Sequence, residues 1–598
     1  MGQISGQASE PRVPEKTSDN IDLNVCVNPT CQNFNISPTQ SRKDPSYKIS
    51  GMKKESCVLC VSCGRLYIIK SNLAVSEEVE RLRYKPVLSK VYRQDGFGCH
   101  NIECPHFGFY ADTPSIHYRR RGLTSAGHPR FQCKACGTTF TRGSKKRKSH
   151  PKTRSYDNEW LFKLLVNQTA INRAMELTNL PPQRIYDRID MFYERSVAFM
   201  KERESRLKMM PLKGMRLSSD RQEYGVNWTN REDKRNVVLS AIGSADSYTG
   251  YVFGMEVNFD PSVNLQDLVN SQQYQDDQSR KGFNRTLARI WTPREIRAAI
   301  EANKTLEYKK KELLKSYFEA GNLPLHEARV ASLVEEIELE SGVSPVSFDD
   351  ATTLPDNGAL VRSEYTLCAH FRLLQELIGH AGLLTLYLDQ DTLINRAAIT
   401  AFTDQVKAGT CRVAYVRFNK ELTVNERRFQ VTMTEKAVDI VMKNQGLNEV
   451  DAERFLVQQS LSQPYAMNGS KEVWFGNPIN RIYECEKYVS LLTDDAFLSE
   501  NQKVSVIRRA SLHPIDNFFQ MVRRRLSLLE RPMHSQSNNG RVWTGKSPYN
   551  PVMVEKMLQI LRVYYNFCLR GKDGKTPAQR LGLAKGPVEI RKILYPSC

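Results

Sequence analysis

Eight cysteines carry the clearest chemistry in this chain. Cys26, Cys31, Cys60 and Cys63 recur 73 residues later as Cys99, Cys104, Cys133 and Cys136, both sets reading Cys-x4-Cys-x28-Cys-x2-Cys. The repeat extends past the sulfurs: Asn28 returns as Asn101, Phe34 as Phe107, Gly64 as Gly137, and Tyr67 as the aromatic Phe140. Two short cysteine pairs brought together by a hairpin supply four thiolates at tetrahedral corners, the ligand set of a structural Zn²⁺. The glycine after each Cys-x2-Cys suits a knuckle with positive φ, where backbone N–H groups turn towards sulfur. The spacing therefore predicts tandem zinc ribbons at 21–72 and 95–141. A ribbon that has lost its metal and survives as a packed hairpin is the alternative for either one. Cys57 breaks the repeat, since Arg130 stands at its equivalent; it is read as a spare thiol, with a ligand role in the first ribbon as the alternative.

A second set of residues acquires meaning only through the elements that hold them. Asp220 lies inside MRLSSDRQEYGVNW, which with NVVLSAIGSAD and TGYVFGMEVNF reads as a three-strand meander separated by turn residues. SEYTLCAHFRLLQELIGH is an amphipathic helix, LLTLYL an apolar strand ending at Asp389, NRAAITAFTDQVKAG a helix and CRVAYVRFNK a strand. A late helix, IDNFFQMVRRRLSLLERP, begins near Asp516. The order β-β-β, helix, β, helix, β, helix is that of an α/β ribonuclease H-like core, in which an antiparallel meander continues into parallel strands. In that arrangement the first and fourth strands are neighbours and the final helix packs beside them. Asp220, Asp389 and Asp516 would meet on one rim despite sequence gaps of 169 and 127 residues. Three carboxylates can hold two Mg²⁺ through oxygen ligands, with Mn²⁺ as the substitute, and so support phosphodiester transfer. Asp391, two residues past Asp389 and on the same face of an extended strand, is the alternative second acid. Arg523, two helical turns beyond Asp516, is placed to meet DNA phosphate. His370 is expected to pack or cap, and Trp474 and Trp543 to fill core rather than stack on bases.

The rest of the chain reads as support for these sites. Residues 1–20 look like a disordered tail, and SEEVERLRYKP a charged connection between the ribbons. Residues 142–156 form a basic linker; in 142–154 seven of thirteen residues are Lys or Arg. Residues 157–205 read as three helices in a helix-turn-helix module, the third opening at Pro181-Pro182. Lys145, Lys146, Arg147 and Lys148 of the linker, and Arg184 and Arg188 of the third helix, are the candidate DNA contacts. The core is expected at 212–261 and 358–419 with its final helices at 506–570, interrupted by a helical insertion at 262–357 and an insertion subdomain at 420–505. Residues 571–598 read as a C-terminal tail. A formal charge of +20 favours a polyanionic partner, double-stranded DNA before an anionic membrane. The polar N-terminus has no apolar signal core, and no apolar run is long enough to span a bilayer. Nine of the 14 cysteines precede residue 137, which suits reduced, metal-bound thiols in a cytosol. A cytoplasmic, nucleoid-associated bacterial protein is expected.

Several segments resemble bacterial insertion-sequence transposases of the DDE type, whose catalytic core is shared with retroviral integrases. IDNFFQMVRRRL is similar to their third-acid helix, with Asp516 where many members have Glu and Arg523 at their basic position seven residues on. YYNFCLRGKDGKTPAQRLGLAKG, 564–586, resembles the Asn-Phe…Thr-Pro-Ala…Leu-Gly ending of many members, and RFQCKACGTTFTRG their N-terminal zinc ribbon. The resemblance covers 99–230, 365–420 and 505–586. It implies an enzyme of DDD type that binds the ends of its mobile element and catalyses metal-dependent cleavage and strand transfer, acting on element ends and target DNA as a homo-oligomer. The 127-residue gap before Asp516 and the doubled ribbon depart from the usual pattern. Two alternatives stand beside this: a ribonuclease H-like nuclease without strand transfer, and a zinc-ribbon DNA-binding regulator derived from an inactive transposase.

Overall fold

The computed structural model describes residues 11–51, 56–83, 99, 104, 118–125, 129–141, 151–227, 232–280, 282–319, 348, 350–390, 392–466, 472–493, 498–530 and 546–595. Asp391, the run Lys145–Lys148 and Trp543 lie outside these residues. The chain divides into two compact units. The first comprises Met1–Glu80, Leu207–Met521 and Arg531–Glu555; the second comprises Arg81–Arg206, Val522–Glu530 and Lys556–Cys598.

Each ribbon is a three-stranded antiparallel sheet. In the first unit these strands are β1 (Tyr47–Gly51), β2 (Ser56–Cys60) and β3 (Leu66–Ile68); in the second unit they are β4 (Tyr118–Leu123), β5 (Pro129–Cys133) and β6 (Thr139–Thr141). The two ribbons thus belong to different units. Two expectations around the first ribbon are corrected. Residues 11–20 are not a loose tail: Val13 is buried in the ribbon's core, and its carbonyl accepts from Gln40 Nε2 at 2.6 Å. The charged stretch after the ribbon is helical as far as Arg83, within helix Asn72–Arg83, because Ala74, Val75, Val79 and Leu82 fall on one face and bury it among charges.

The first unit is built on a mixed eight-stranded sheet. Its meander is β7 (Met215–Val226), β8 (Val237–Asp246) and β9 (Val252–Val257). A two-stranded pair, β10 (Phe259–Asp260) and β11 (Ala359–Leu360), closes the neck of the 262–357 segment, whose described part includes a long helix, Pro293–Glu319. After helix Ser363–Ile378 come β12 (Leu384–Leu388), helices Thr392–Ala401 and Thr403–Lys407, and β13 (Cys411–Arg417). β12 lies parallel to both β7 and β13. Every residue of β12 is buried, as suits a strand covered on both faces.

The 420–505 segment is more than an appended subdomain. Helices Val424–Gln445 and Glu449–Leu461 lead into β14 (Tyr465–Ala466), β15 (Val473–Asn477) and β16 (Lys487–Leu491). β16 pairs antiparallel with β13, so the full order is β14-β15-β16-β13-β12-β7-β8-β9. Trp474 is fully buried and stacks on Tyr415, so it is core.

In the second unit, helices Pro151–Leu165, Ile171–Thr178 and Pro182–Ser205 bury Leu161, Phe162, Ala174, Ile185, Ile189 and Phe192. Asn179, at φ 53°, ends the middle helix and a short turn leads into the third. Residues 571–595 are not a tail. Helix Ile590–Leu594 packs on the first and third of these helices and buries Ile590, Ile593 and Leu594 at i, i+3 and i+4. The basic, glycine-containing run before it hides that apolar triplet from a reading by composition.

Candidate functional site

The eight repeated cysteines form two clusters, each with its four Sγ atoms within 4.8 Å of one another. Cys26–Cys63 and Cys31–Cys60 approach to 3.5 and 3.6 Å, Cys99–Cys136 and Cys104–Cys133 to 3.3 and 3.6 Å. A tetrahedron with Zn–S bonds of roughly 2.3 Å has edges of roughly 3.8 Å, so the donor sets fit zinc. Gly64 and Gly137 hold φ at 66° and 73°, and their N–H groups bond to Cys60 and Cys133 carbonyls at 2.9 and 3.0 Å. Cys57 is buried in β2 outside the ligand set. At Cys60 the upward push of burial is outweighed by the Cys63 N–H and neighbouring donors, which hold the thiol down to about 7.

One support was missed by the sequence reading. Tyr47 Oη accepts the Cys26 N–H at 2.9 Å, and Tyr118 Oη the Cys99 N–H at 3.1 Å. Both tyrosines sit directly across a ladder from the third cysteine, Tyr47 from Cys60 and Tyr118 from Cys133. They are 71 residues apart, not 73, so a fixed-period comparison passes over them; an aromatic before each Cys-x2-Cys was the available signal.

The acids converge through register. β12 pairs with β7 so that Leu388 lies opposite Ser219. One residue further on come Asp389, just past the end of β12, and Asp220, still within β7 and opposite Gly243 of β8. Asp516 stands in the first turn of helix His513–Arg525. That helix is tied to β7 where the Ile515 N–H donates to Ser218 Oγ at 3.1 Å. Gly243, opposite Asp220 on β8, permits the approach: a Cβ there would lie 2.6 Å from Met255 Sδ and 3.0 Å from Ile515 Cδ1.

The electrostatics record the closeness. Burial first, then the charges of Asp389 and Asp516, push Asp220 up to about 8. Lys420, three residues beyond β13, reaches Asp389 Oδ2 with its Nζ at 3.5 Å. Burial opposes its charge, but Asp389, Asp220 and Asp516 outweigh that and raise its pKa. Lys420 was absent from the sequence reading; a basic residue just past the end of the neighbouring parallel strand was its only trace. The three acids lie near enough to act on one another's charge, whereas the groups whose ligand atoms all lie within 4.8 Å of one another among the described residues are the two cysteine clusters.

The remaining candidates have defined places. Arg523 is half-buried in the Asp516 helix, seven residues on. Arg184 is exposed at the start of helix Pro182–Ser205, whereas Arg188 is half-buried and its guanidinium donates to Asn158 Oδ1 of the neighbouring helix. His370 is a buried packing residue: Nδ1 meets Glu256 Oε2 at 2.6 Å, and Nε2 meets Ser244 Oγ at 2.8 Å. No described helix is long and apolar enough to cross a membrane. No protein-family model matches the chain, and no curated protein matches it.

Proposed function

We propose that this chain is a DDD-type transposase, a metal-dependent polynucleotidyl transferase that cleaves DNA at the ends of its mobile element and joins them to a target. The observation that carries the reading is the register of the parallel β7–β12 pair, which brings Asp220 and Asp389 one residue past its last partners, with the Asp516 helix bonded to β7 through Ser218. The order β13-β12-β7-β8-β9, a meander continued by two parallel strands, supports a ribonuclease H-like core. The three acids would hold two Mg²⁺, or Mn²⁺ in substitution, and metal bound there would supply an activated attacking oxygen and neutralise charge at the leaving one.

The chain's own residues do the rest. Asp220 would act as the ionised carboxylate, and Lys420, whose Nζ lies 3.5 Å from Asp389 Oδ2, would be available at the rim to meet substrate phosphate. The ribbons, the basic run Lys145–Lys148, Arg184 of the third helix and Arg523 grip DNA, and two ends are held by a homo-oligomer.

The test looks for inverted repeats flanking the gene and uses labelled duplexes that carry them. Asp→Ala at 220, 389 or 516 abolishes Mg²⁺-dependent cleavage and joining and leaves end binding within about twofold. Metal-dependent nicking by the wild-type protein without joining would favour the nuclease reading instead. Binding without any cleavage would favour the regulator.

A further inference from the structure

The first turn of helix His513–Arg525 is held by the 420–505 segment. The N-terminal amides of a helix have no partners within it. Here Glu484, which is 1 % exposed, supplies the acceptor. Its Oε1 accepts from Leu512 N at 2.7 Å, His513 N at 2.9 Å and Ser511 Oγ at 3.0 Å. Its Oε2 meets Lys487 Nζ at 3.2 Å, and Lys487 is itself only 4 % exposed. A tight turn presents the carboxylate: Glu484 N–H donates to the Arg481 carbonyl at 2.8 Å, and Arg481 N–H returns to the Glu484 carbonyl at 3.2 Å. The Tyr483 ring stacks on His513 with centroids 3.7 Å apart.

A buried carboxylate is costly unless every lone pair is used. This one is spent on the helix end that carries Asp516, three residues past the last amide it binds. With Ser218 bonding Ile515 from the other side, the helix start is fixed between the core strand β7 and the inserted segment. We propose that Glu484, backed by Lys487, is the positioning residue for Asp516, and that the 420–505 segment is therefore a working part of the acidic rim. This rests on the reading of Asp516 as a metal-holding acid.

The experiment compares Glu484→Ala, the double variant Glu484→Gln/Lys487→Met, and Asp516→Ala in the full-length protein. The double variant keeps an acceptor oxygen for Leu512 and His513 and removes both buried charges, so it also guards against a folding failure of the single change. Three readouts are used: amide exchange at Leu512 and His513, Mn²⁺ binding without DNA, and the Mg²⁺ dependence of cleavage. Glu484→Ala is expected to speed exchange at both amides, weaken Mn²⁺ binding about tenfold or more, and raise the Mg²⁺ requirement in step while end binding is unchanged. The double variant is expected to recover most of the metal affinity. Wild-type Mn²⁺ binding in Glu484→Ala, or loss in the double variant equal to that in Glu484→Ala, would overturn the proposal. Asp516→Ala separates the layers. If it loses cleavage while Glu484→Ala keeps normal metal dependence, positioning alone fails; if it cleaves and binds Mn²⁺ normally, the third-acid reading fails and takes the proposal with it.

Discussion

Asp220 is where a single residue sets measurable behaviour of the whole protein. Its folded pKa of about 8 lies well above that of an unfolded aspartate. Between roughly pH 4 and 8 the folded protein keeps a proton that the unfolded chain has released, so without divalent metal this group's contribution to stability falls as pH rises through that window. Asp220→Asn is expected to stabilise the Mg²⁺-free protein at pH 8 by roughly 1–3 kcal/mol and to flatten that part of the profile, as read by denaturant unfolding at several pH values. An unchanged profile would mean that neither burial nor the neighbouring charges raise Asp220. At this scale the cysteines were fully legible, because their chemistry lies in spacing along the chain. The acids were picked out only through strand order: each alone looks like one of many solvated carboxylates. Lys420 and the two tyrosines were not legible, since what places them is a neighbouring strand end and a ladder partner.

Among elements, the junction of β8 with the Asp516 helix is the tightest that the rim depends on. Gly243→Ala inserts a methyl group against Met255 and Ile515. It is expected to cost about 1–3 kcal/mol, the range for overpacking a filled core, and to lower cleavage at least tenfold by displacing the helix start. Circular dichroism melts and cleavage rates check the two effects separately. The strands β7, β8, β9, β12 and β13 were readable because their apolar runs and turns are strong. The joining of β14, β15 and β16 to the same sheet was not: a strand's partner is chosen by tertiary packing, and KEVWFGNPINRIYECEKY carries no mark of the neighbour it selects. The helix Pro182–Ser205 was readable from its apolar period and opening prolines, but its side chains divide in use. Arg188 is engaged with Asn158, leaving Arg184 on the exposed side. Arg184→Ala is thus expected to blur discrimination between element-end and random duplex by about tenfold, in competition binding at fixed salt. Equal weakening of both would show a packing role.

On the scale of the molecule, the repeat in sequence is not a repeat in use. The first ribbon is clasped by the core of its own unit. Arg396 donates to the Leu23 and Ile68 carbonyls at 2.8 and 2.7 Å and to Asn24 Oδ1 at 3.1 Å, and Lys70 pairs with buried Glu364 at 2.9 Å. Metal analysis is expected to find two zinc per chain. Cys60→Ser/Cys63→Ser should remove one and lower the melting of the first unit by several degrees, since metal binding and folding of so small a module are coupled. Cys133→Ser/Cys136→Ser should remove the other and leave that melting within about a degree. Identical losses would contradict the division into units. The bond from Ile515 to Ser218 spans 297 residues of chain, and this has a consequence for synthesis. While the polypeptide is emerging, β7 and β12 can pair and the first ribbon can take metal long before the Asp516 helix exists. The third carboxylate joins the others only after nearly nine-tenths of the sequence has been made. A chain ended before that helix would thus carry the first ribbon and the β7–β12 pair without the third of the proposed acids, and the slow closure of so distant a contact would complete the proposed rim last.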